Sequence, residues 1–346
     1  SCRARFPMST TAIPLLVHSP KSMRTWHVPA FGEPEQMILS DVPSPQPKDG
    51  EVRVRVHAAA LNFFDLLLIQ GKYQAKPAFP FTPGAEAAGI VDATGPGVTS
   101  HKPGDRVIAL PTFGAFAEEL ICPNNRLLPI PDGMDFATAA ACPIVYQTSW
   151  FALEDRAALH PNEWLIVHAG ASGVGMAAIQ LAKARNARVI ATAGTPEKLE
   201  FCKSQGADHA ILYNEPTWVD EVKRITGRGA DVVYDPVGGD IFDLSTKCTA
   251  PGGRILVIGF TSGRIPTIAT NRLLLKNISV VGAIWGNWTA SHPSYIHETH
   301  RRLMDLWHAG KIRPAIGNRY RFEEAPQALR DLGNRAATGK SVLAVD

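Results

Sequence analysis

The sequence has little of what would mark a disulfide-stapled, membrane-spanning or nucleic-acid-binding protein. Its 346 residues contain only five cysteines, which are scattered and form no CxxC pair. Such a set fits reduced thiols better than a disulfide framework, so we predict a cytoplasmic location. No apolar run reaches membrane-spanning length, and we predict no membrane partner.

Net charge is also scarce. The chain carries 35 Lys and Arg against 32 Asp and Glu, a formal net charge of +3. This small and interspersed excess does not argue for nucleic acid as a partner. The length exceeds what one core usually needs and suits two domains. Residues 1–22 are irregular, with Pro14 interrupting a short apolar patch, so we expect a disordered extension there and order from Met23.

The most informative stretch is residues 163–198. An apolar run at 164–169 precedes a glycine-rich turn at 170–175, and an amphipathic helical pattern and a second apolar run, 188–193, follow. Strand, glycine turn, helix and strand in this order form the unit that holds a dinucleotide pyrophosphate at a helix N-terminus. The context makes the glycine motif specific, although Ser172 occupies its second glycine position.

The end of the second strand indicates which dinucleotide binds. An NAD site usually places an acid about 20 residues after the first glycine, where it binds the ribose 2′-hydroxyl. Residues 190–195 contain no acid, and Lys198 follows just beyond. A carboxylate there would repel a 2′-phosphate, so its absence favours NADPH as the cofactor. The alternative for Lys198 is a solvated helix residue.

Two patterns divide the chain. Residues 23–128 contain short alternating strands separated by Gly/Pro turns, whereas strands and helices alternate after Lys198. The second pattern predicts a doubly wound parallel sheet, and the whole an α/β fold. We predict helices at 197–205, 218–226, 241–249 and 296–310, and strands at 209–213, 230–235, 254–259 and 278–284.

Six stretches together resemble the zinc-independent quinone oxidoreductase (zeta-crystallin-like) branch of the medium-chain dehydrogenases/reductases. They are 60–65 (ALNFFD), 70–73 (QGKY), 81–89 (FTPGAEAAG), 102–107 (KPGDRV), 169–175 (AGASGVG) and 336–340 (AATGK). The resemblance implies a GroES-like β-rich substrate domain at 23–145, completed by 286–346. It places a Rossmann NADPH-binding domain at 146–285. It also implies a homodimer or homotetramer, with 278–285 as the pairing edge.

The sequence departs from the zinc-dependent relatives at their metal ligands. Alcohol dehydrogenases of this superfamily carry Gly-His-Glu and a ligand cysteine, where this chain has Gly84-Ala85-Glu86 and Asn62. Alanine offers no lone pair, so we predict no metal. The expected reaction is hydride transfer from NADPH to a quinone or α,β-unsaturated carbonyl, whose own conjugation accepts the hydride.

Four residues are candidates for the substrate side, and each has a structural alternative. Asn62 matches a family asparagine that donates to a carbonyl oxygen, but it would also suit a turn cap. Tyr73 resembles a tyrosine of relatives that stacks on the substrate or donates a proton. Its structural alternative is an aromatic residue packed at the rim of the site. Tyr146 and Thr148 lie at the domain junction, and Thr148 matches a nicotinamide-contacting threonine. Cleft packing is the alternative for both.

Cofactor candidates follow from strand ends, which face the ligand crevice, and from the resemblance. The predicted set is Thr148, Gly170, Ala171, Ser172, Gly173, Val174, Gly175, Ala193, Gly194, Thr195, Lys198, Tyr213, Asp235, Val237, Gly259, Phe260, Arg335 and Lys340. Two other functions stay open, a reductase of enoyl thioesters and an NADPH-binding protein with little turnover.

Overall fold

The computed structural model describes residues 21–214 and 217–345. The predicted disordered extension falls outside the described residues up to residue 20, and Ser22 already belongs to the first strand. Among the described residues, no helix is long and apolar enough to cross a membrane.

The first part of the chain is rich in strands. They are β1 (Ser22–His27), β2 (Ile38–Pro43), β3 (Glu51–Ala60), β4 (Ala87–Thr94), β5 (Arg106–Ala109), β6 (Glu119–Pro123) and β7 (Leu127–Pro129). The helices of this part are α1 (Phe63–Ile69), α2 (Phe136–Ala141) and α3 (Pro143–Trp150), which a π-helical turn (Phe151–Arg156) follows. In β3 the valines at 52, 54 and 56 are buried between outward arginines, as the sequence alternation requires.

The second part alternates strands and helices. It contains β8 (Trp164–Val167), α4 (Gly173–Ala184), β9 (Arg188–Ala193), α5 (Pro196–Ser204), β10 (His209–Leu212), α6 (Trp218–Thr226), β11 (Ala230–Asp235), α7 (Gly239–Cys248), β12 (Thr249–Val257), α8 (Thr270–Lys276) and β13 (Ser279–Gly282). Its six strands pair in parallel in the order β10-β9-β8-β11-β12-β13. The chain runs outward from β8 in one direction along the sheet and from β11 in the other. In sheets of this kind the ligand crevice lies at the C-terminal ends of the two strands where the direction changes.

The last part returns to the first sheet. It contains α9 (Trp285–Ser291), α10 (Tyr295–His308), β14 (Ile316–Arg321), α11 (Ala325–Gly333) and β15 (Lys340–Ala344). β15 pairs antiparallel with β3, so the first sheet runs β14-β15-β3-β4-β5-β7, with β6 also on β3. Because β15 starts at Lys340, the tail before it passes beside the crevice of the parallel sheet.

Burial explains the strand pattern of the second part. Leu165, Ile166 and Val167 in β8 are fully buried, because helices cover both faces of the parallel sheet. His168 follows them and contacts Thr192 and Ser245 through its two ring nitrogens, each at 2.8 Å. Burial lowers the pKa of His168 to about 3, so the imidazole stays neutral as a packed residue.

Candidate active site

A cavity of about 180 Å³ lies between the glycine turn, the ends of the parallel strands and the returning tail. Most of the residues predicted from the sequence line it: Asn62, Ala171, Ser172, Gly173, Val174, Ala193, Gly194, Lys198, Tyr213, Val237, Arg335 and Lys340. The fold therefore brings residues separated by almost the whole chain to one place.

The glycine turn is held in shape by Ser172. Its hydroxyl donates to the Ala169 carbonyl at 2.7 Å and accepts from the Gly175 N–H at 3.1 Å, which caps α4. A Cβ on Gly175 would lie 2.3 Å from the Ala169 oxygen, so only glycine allows this approach. The start of α4, with its N–H groups lacking helical acceptors, consequently faces the cavity and favours an anion.

Two basic residues meet at one end of the cavity. The Lys198 ammonium donates to the Arg335 carbonyl at 2.6 Å, and the Arg335 guanidinium donates to the Thr261 carbonyl at 3.0 Å. Neither side chain forms an ion pair with a carboxylate within the described part of the chain. Tyr213 lines the same end and closes on Gly194, where a Cβ would lie 3.5 Å from the phenol oxygen. Two positive charges there are thus available to an anionic ligand.

A buried ionic cluster, which we call the Asn62–Glu86–Lys340 cluster, adjoins the cavity through Asn62 and Lys340. The Lys340 ammonium donates to Glu86 Oε1 at 2.7 Å, to Asn62 Oδ1 at 2.9 Å and to the Leu61 carbonyl at 2.8 Å. Asn62 Nδ2 donates to the same Glu86 oxygen at 2.8 Å, while Glu86 Oε2 accepts from the Ile144 N–H at 2.9 Å. Lys340 and Glu86 are 2% and 0% exposed.

Lys340, predicted as a basic cofactor ligand in the tail, lines the cavity but directs its ammonium into this cluster. An ammonium has three donors, and all three are used inside the protein. Lys340 lines the cavity, and its carbon stem lies beside Gly173. The lysine charge is directed at Asn62, Glu86 and the Leu61 carbonyl.

Asn62 has the cap role considered from the sequence, and it also lines the cavity. It is the N-cap of α1, and its backbone N–H donates to Asp65 Oδ2 at 2.8 Å. Its donation to a substrate carbonyl stays a prediction. Asp65 is 1% exposed, and burial raises its pKa to about 7.

Tyr73 lies outside the cavity lining, next to this group. Its half-buried ring stacks on Phe64 with centroids 5.5 Å apart. Burial, and secondarily the charge of Asp65, raises the pKa of Tyr73, so the phenol keeps its proton at neutral pH. The described contacts are those of a packed rim aromatic.

The remaining predicted residues also lie behind or beside the cavity lining. They are Tyr146, Thr148, Gly170, Gly175, Thr195, Asp235, Gly259 and Phe260. Tyr146 is fully buried and donates to Gln180 Oε1 at 2.7 Å, so it has the cleft-packing role that was its alternative. Asp235 caps the turn after β11 by accepting from the Val237 and Gly238 N–H groups at 2.8 and 2.9 Å.

Sequence reasoning missed several lining residues. They are Leu61, Phe63, Val145, Thr261, Leu332, Ala337, Gly339 and Ser341. Thr261 follows β12, so extending the strand-end rule by a few residues would have included it. The tail residues required the pairing of β15 with β3, which no local pattern reveals.

The residues at the position where zinc-dependent relatives bind their metal are unsuited to binding a cation. Ala85 carries no ligand atom, and the Glu86 carboxylate is already paired with the Lys340 ammonium. Among the residues that the structure describes, no group of three or more His, Cys, Asp or Glu could hold a metal ion.

Comparisons with known proteins agree with this architecture. The family model of the alcohol dehydrogenase GroES-like domain matches residues 48–132, and that of the zinc-binding dehydrogenase matches 173–305. Quinone oxidoreductase-like protein 2 of Bos taurus is 37% identical over 93% of each chain. Quinone oxidoreductase of Sus scrofa is 34% identical over 93% of this chain and 98% of its own.

A solved structure adds the cofactor of a relative. Escherichia coli quinone oxidoreductase complexed with NADPH superposes with a TM-score of 0.86 and 29% identity, over 94% of this chain and 99% of that one. Fold and cavity together define a two-domain oxidoreductase with a dinucleotide-binding sheet. The chain belongs to the medium-chain dehydrogenase/reductase family, in its quinone oxidoreductase branch. The family and the fold class predicted from the sequence are confirmed.

Proposed function

We propose that this protein uses NADPH to reduce a quinone or an α,β-unsaturated carbonyl, without a metal. The observation that carries the proposal is the cavity itself, whose lining combines the anion-binding start of α4, two cations that form no ion pair among the described residues, and Asn62. The names of the relatives, and the NADPH in the Escherichia coli structure, support the same reaction class.

The residues present fit NADPH. The glycine turn and the start of α4 would hold the pyrophosphate, because a side chain at Gly173 would fill the cradle and clash with the Lys340 stem at 2.7 Å. Lys198, Arg335 and Tyr213 would bind the 2′-phosphate, at a strand end that has no acid. When bound, NADPH supplies the hydride.

The task of the protein chain is to hold the acceptor and stabilise its developing negative charge. Asn62 uses one amide N–H on Glu86, which leaves the second for a carbonyl oxygen. Leu61, Phe63 and Val145 give the surrounding wall an apolar surface suited to a conjugated ring or enone. The final proton comes from water.

Steady-state NADPH oxidation against a panel of quinones, enones and enoyl-CoA thioesters tests the proposal. We expect turnover with quinones or simple enones and little with enoyl-CoA. Preferential turnover of enoyl-CoA would replace the proposal with an enoyl-thioester reductase. Tight NADPH binding without turnover on any member of the panel would reject both enzymatic functions and favour a binding protein.

A further inference from the structure

The Asn62–Glu86–Lys340 cluster is costly to bury and is therefore informative. Two opposite charges are almost fully removed from water, at a position where an apolar pair would be cheaper. The cluster joins three distant segments, namely the start of α1, the loop before β4 and the first residue of β15. It also lies directly behind a side chain that lines the cavity.

The hydrogen bonds of the cluster fix the orientation of the Asn62 amide. Asn62 Oδ1 accepts from the ammonium and Nδ2 donates to the carboxylate. A flipped amide would place N–H against a cation and an oxygen against an anion, so only one orientation is compatible with both neighbours. The Leu61 carbonyl, held by the same ammonium, restrains the backbone on the preceding residue.

We infer that Lys340 and Glu86 are positioning residues that orient the Asn62 amide toward the substrate oxygen. The ammonium and the carboxylate both bind this amide and their charges offset each other, so their joint effect is to fix its direction. A donor that is already oriented stabilises negative charge on the acceptor without reorganising during the reaction. The inference rests on the proposed function, because it assigns these residues to the same reduction.

The test separates the structural cost of the cluster from its effect on turnover. Lys340→Met keeps the stem that packs on Gly173 but removes the charge, and Glu86→Gln removes the opposite charge. Each single variant should lower Tm, because it leaves one buried charge unpaired. The double variant Glu86→Gln/Lys340→Met should recover most of the Tm and bind NADPH within about twofold of wild type. Its kcat should nevertheless fall by roughly 10- to 100-fold, the range expected when an oxyanion donor is weakened.

A double-mutant cycle shows whether the effect passes through Asn62. Asn62→Ala and the charge-neutral double variant should be strongly non-additive in kcat, because the first removes the donor that the second leaves unoriented. The exposed pair Glu200–Lys203 provides a matched control, since Glu200→Gln/Lys203→Met should leave kcat and Tm unchanged.

The outcomes of these measurements are distinguishable. A double variant with wild-type Tm and wild-type kcat, or additive effects in the cycle, would overturn the positioning role while leaving the proposed function intact. Absence of turnover in the wild-type protein with every acceptor of the panel would overturn the proposed function and this inference with it.

Discussion

At the scale of single residues, we propose that Lys198 makes the site select NADPH over NADH. Its ammonium contacts the Arg335 carbonyl at the cavity end where a 2′-phosphate would lie. Lys198→Ala should raise the KM for NADPH by roughly tenfold and change that for NADH little, because a charge-assisted hydrogen bond contributes about 1.5 kcal/mol. Kinetics with both cofactors measure the difference.

The neighbouring helix surface supplies a control for Lys198. Lys203 belongs to the same helix but pairs with Glu200 at 2.8 Å, so Lys203→Ala should leave both KM values unchanged. Equal effects of Lys198→Ala on NADPH and NADH would reject its phosphate role.

Asp65 makes the stability of the protein depend on pH. Burial raises its pKa from 3.8 to about 7, so the folded protein retains a proton that the unfolded chain releases. The free energy of unfolding should therefore fall as pH rises from about 4 to about 7 and level off above this range. Asp65→Asn keeps an oxygen that accepts from the Asn62 N–H but has no carboxyl group to titrate. The free energy of unfolding of this variant should therefore fall less between about pH 4 and about pH 7.

Urea unfolding at about pH 5 and about pH 8 measures the effect of Asp65→Asn. The nearby titratable or charged groups Glu86, Lys340 and Tyr73 are retained in this variant and serve as the internal reference. If the free energy of unfolding fell by the same amount between the two pH values in wild type and in the variant, Asp65 would not be the source of the pH dependence.

At the scale of elements, the turn before α4 depends on close packing. A Cβ on Gly175 would lie 2.3 Å from the Ala169 oxygen and 2.7 Å from Gly170 Cα. Gly175→Ala should therefore lower stability by about 1–3 kcal/mol and weaken NADPH binding, because the turn must move away from α4. Thermal unfolding and NADPH fluorescence titration measure both effects.

A glycine in open space gives the comparison for Gly175. A Cβ on Gly286 in α9 would have nothing within 4 Å, so Gly286→Ala should be neutral or stabilise by up to about 1 kcal/mol. If Gly175→Ala had the same Tm and the same NADPH affinity as Gly286→Ala, the proposed dependence of the turn on close packing would be wrong.

Elements with strong local signals were predictable from the sequence. The helix at 218–226 and the strand at 230–235 were predicted with the bounds observed, since an amphipathic run ending at Gly227 and an apolar run are unambiguous. β12 begins at Thr249, earlier than the predicted 254, because parallel pairing with β11 continues past a Pro-Gly-Gly stretch. α8 and α9 were missed, since α8 exposes its leucines instead of burying an apolar face.

The candidate site was predictable only where it is local. The glycine turn and Asn62 carry their signals in adjacent residues, whereas Glu86 and Lys340 are 254 positions apart and meet only through the pairing of β15 with β3. Tyr146 shows the opposite failure, since its place near the domain junction suggested a site residue and its burial makes it part of the core.

At the scale of the whole molecule, β13 ends the parallel sheet and pairs only with β12 in the described part of the chain. Leu274 and Leu275, just before it, are 76% and 79% exposed. We predict that two copies associate through this edge, which buries the leucines. Leu274→Glu/Leu275→Glu should shift the mass in light scattering from a multiple of the chain mass to 37.4 kDa.

The exposed residue Ile38, on the separate two-stranded sheet, offers a control for the edge variant. It is 52% exposed, and Ile38→Glu should leave the assembly unchanged. A wild-type protein that already elutes at the mass of one chain would contradict association through β13.

Transfer of isotope from the cofactor tests the central claim most directly. The protein is first dialysed against a chelator, and elemental analysis checks that it lacks stoichiometric zinc. It is then mixed with a simple enone and with NADPH that carries deuterium at nicotinamide C4. We predict full turnover and, by mass spectrometry, deuterium on the product carbon β to the carbonyl. Loss of turnover that added zinc restores, or a product without deuterium from either C4-labelled stereoisomer, would contradict metal-free hydride transfer.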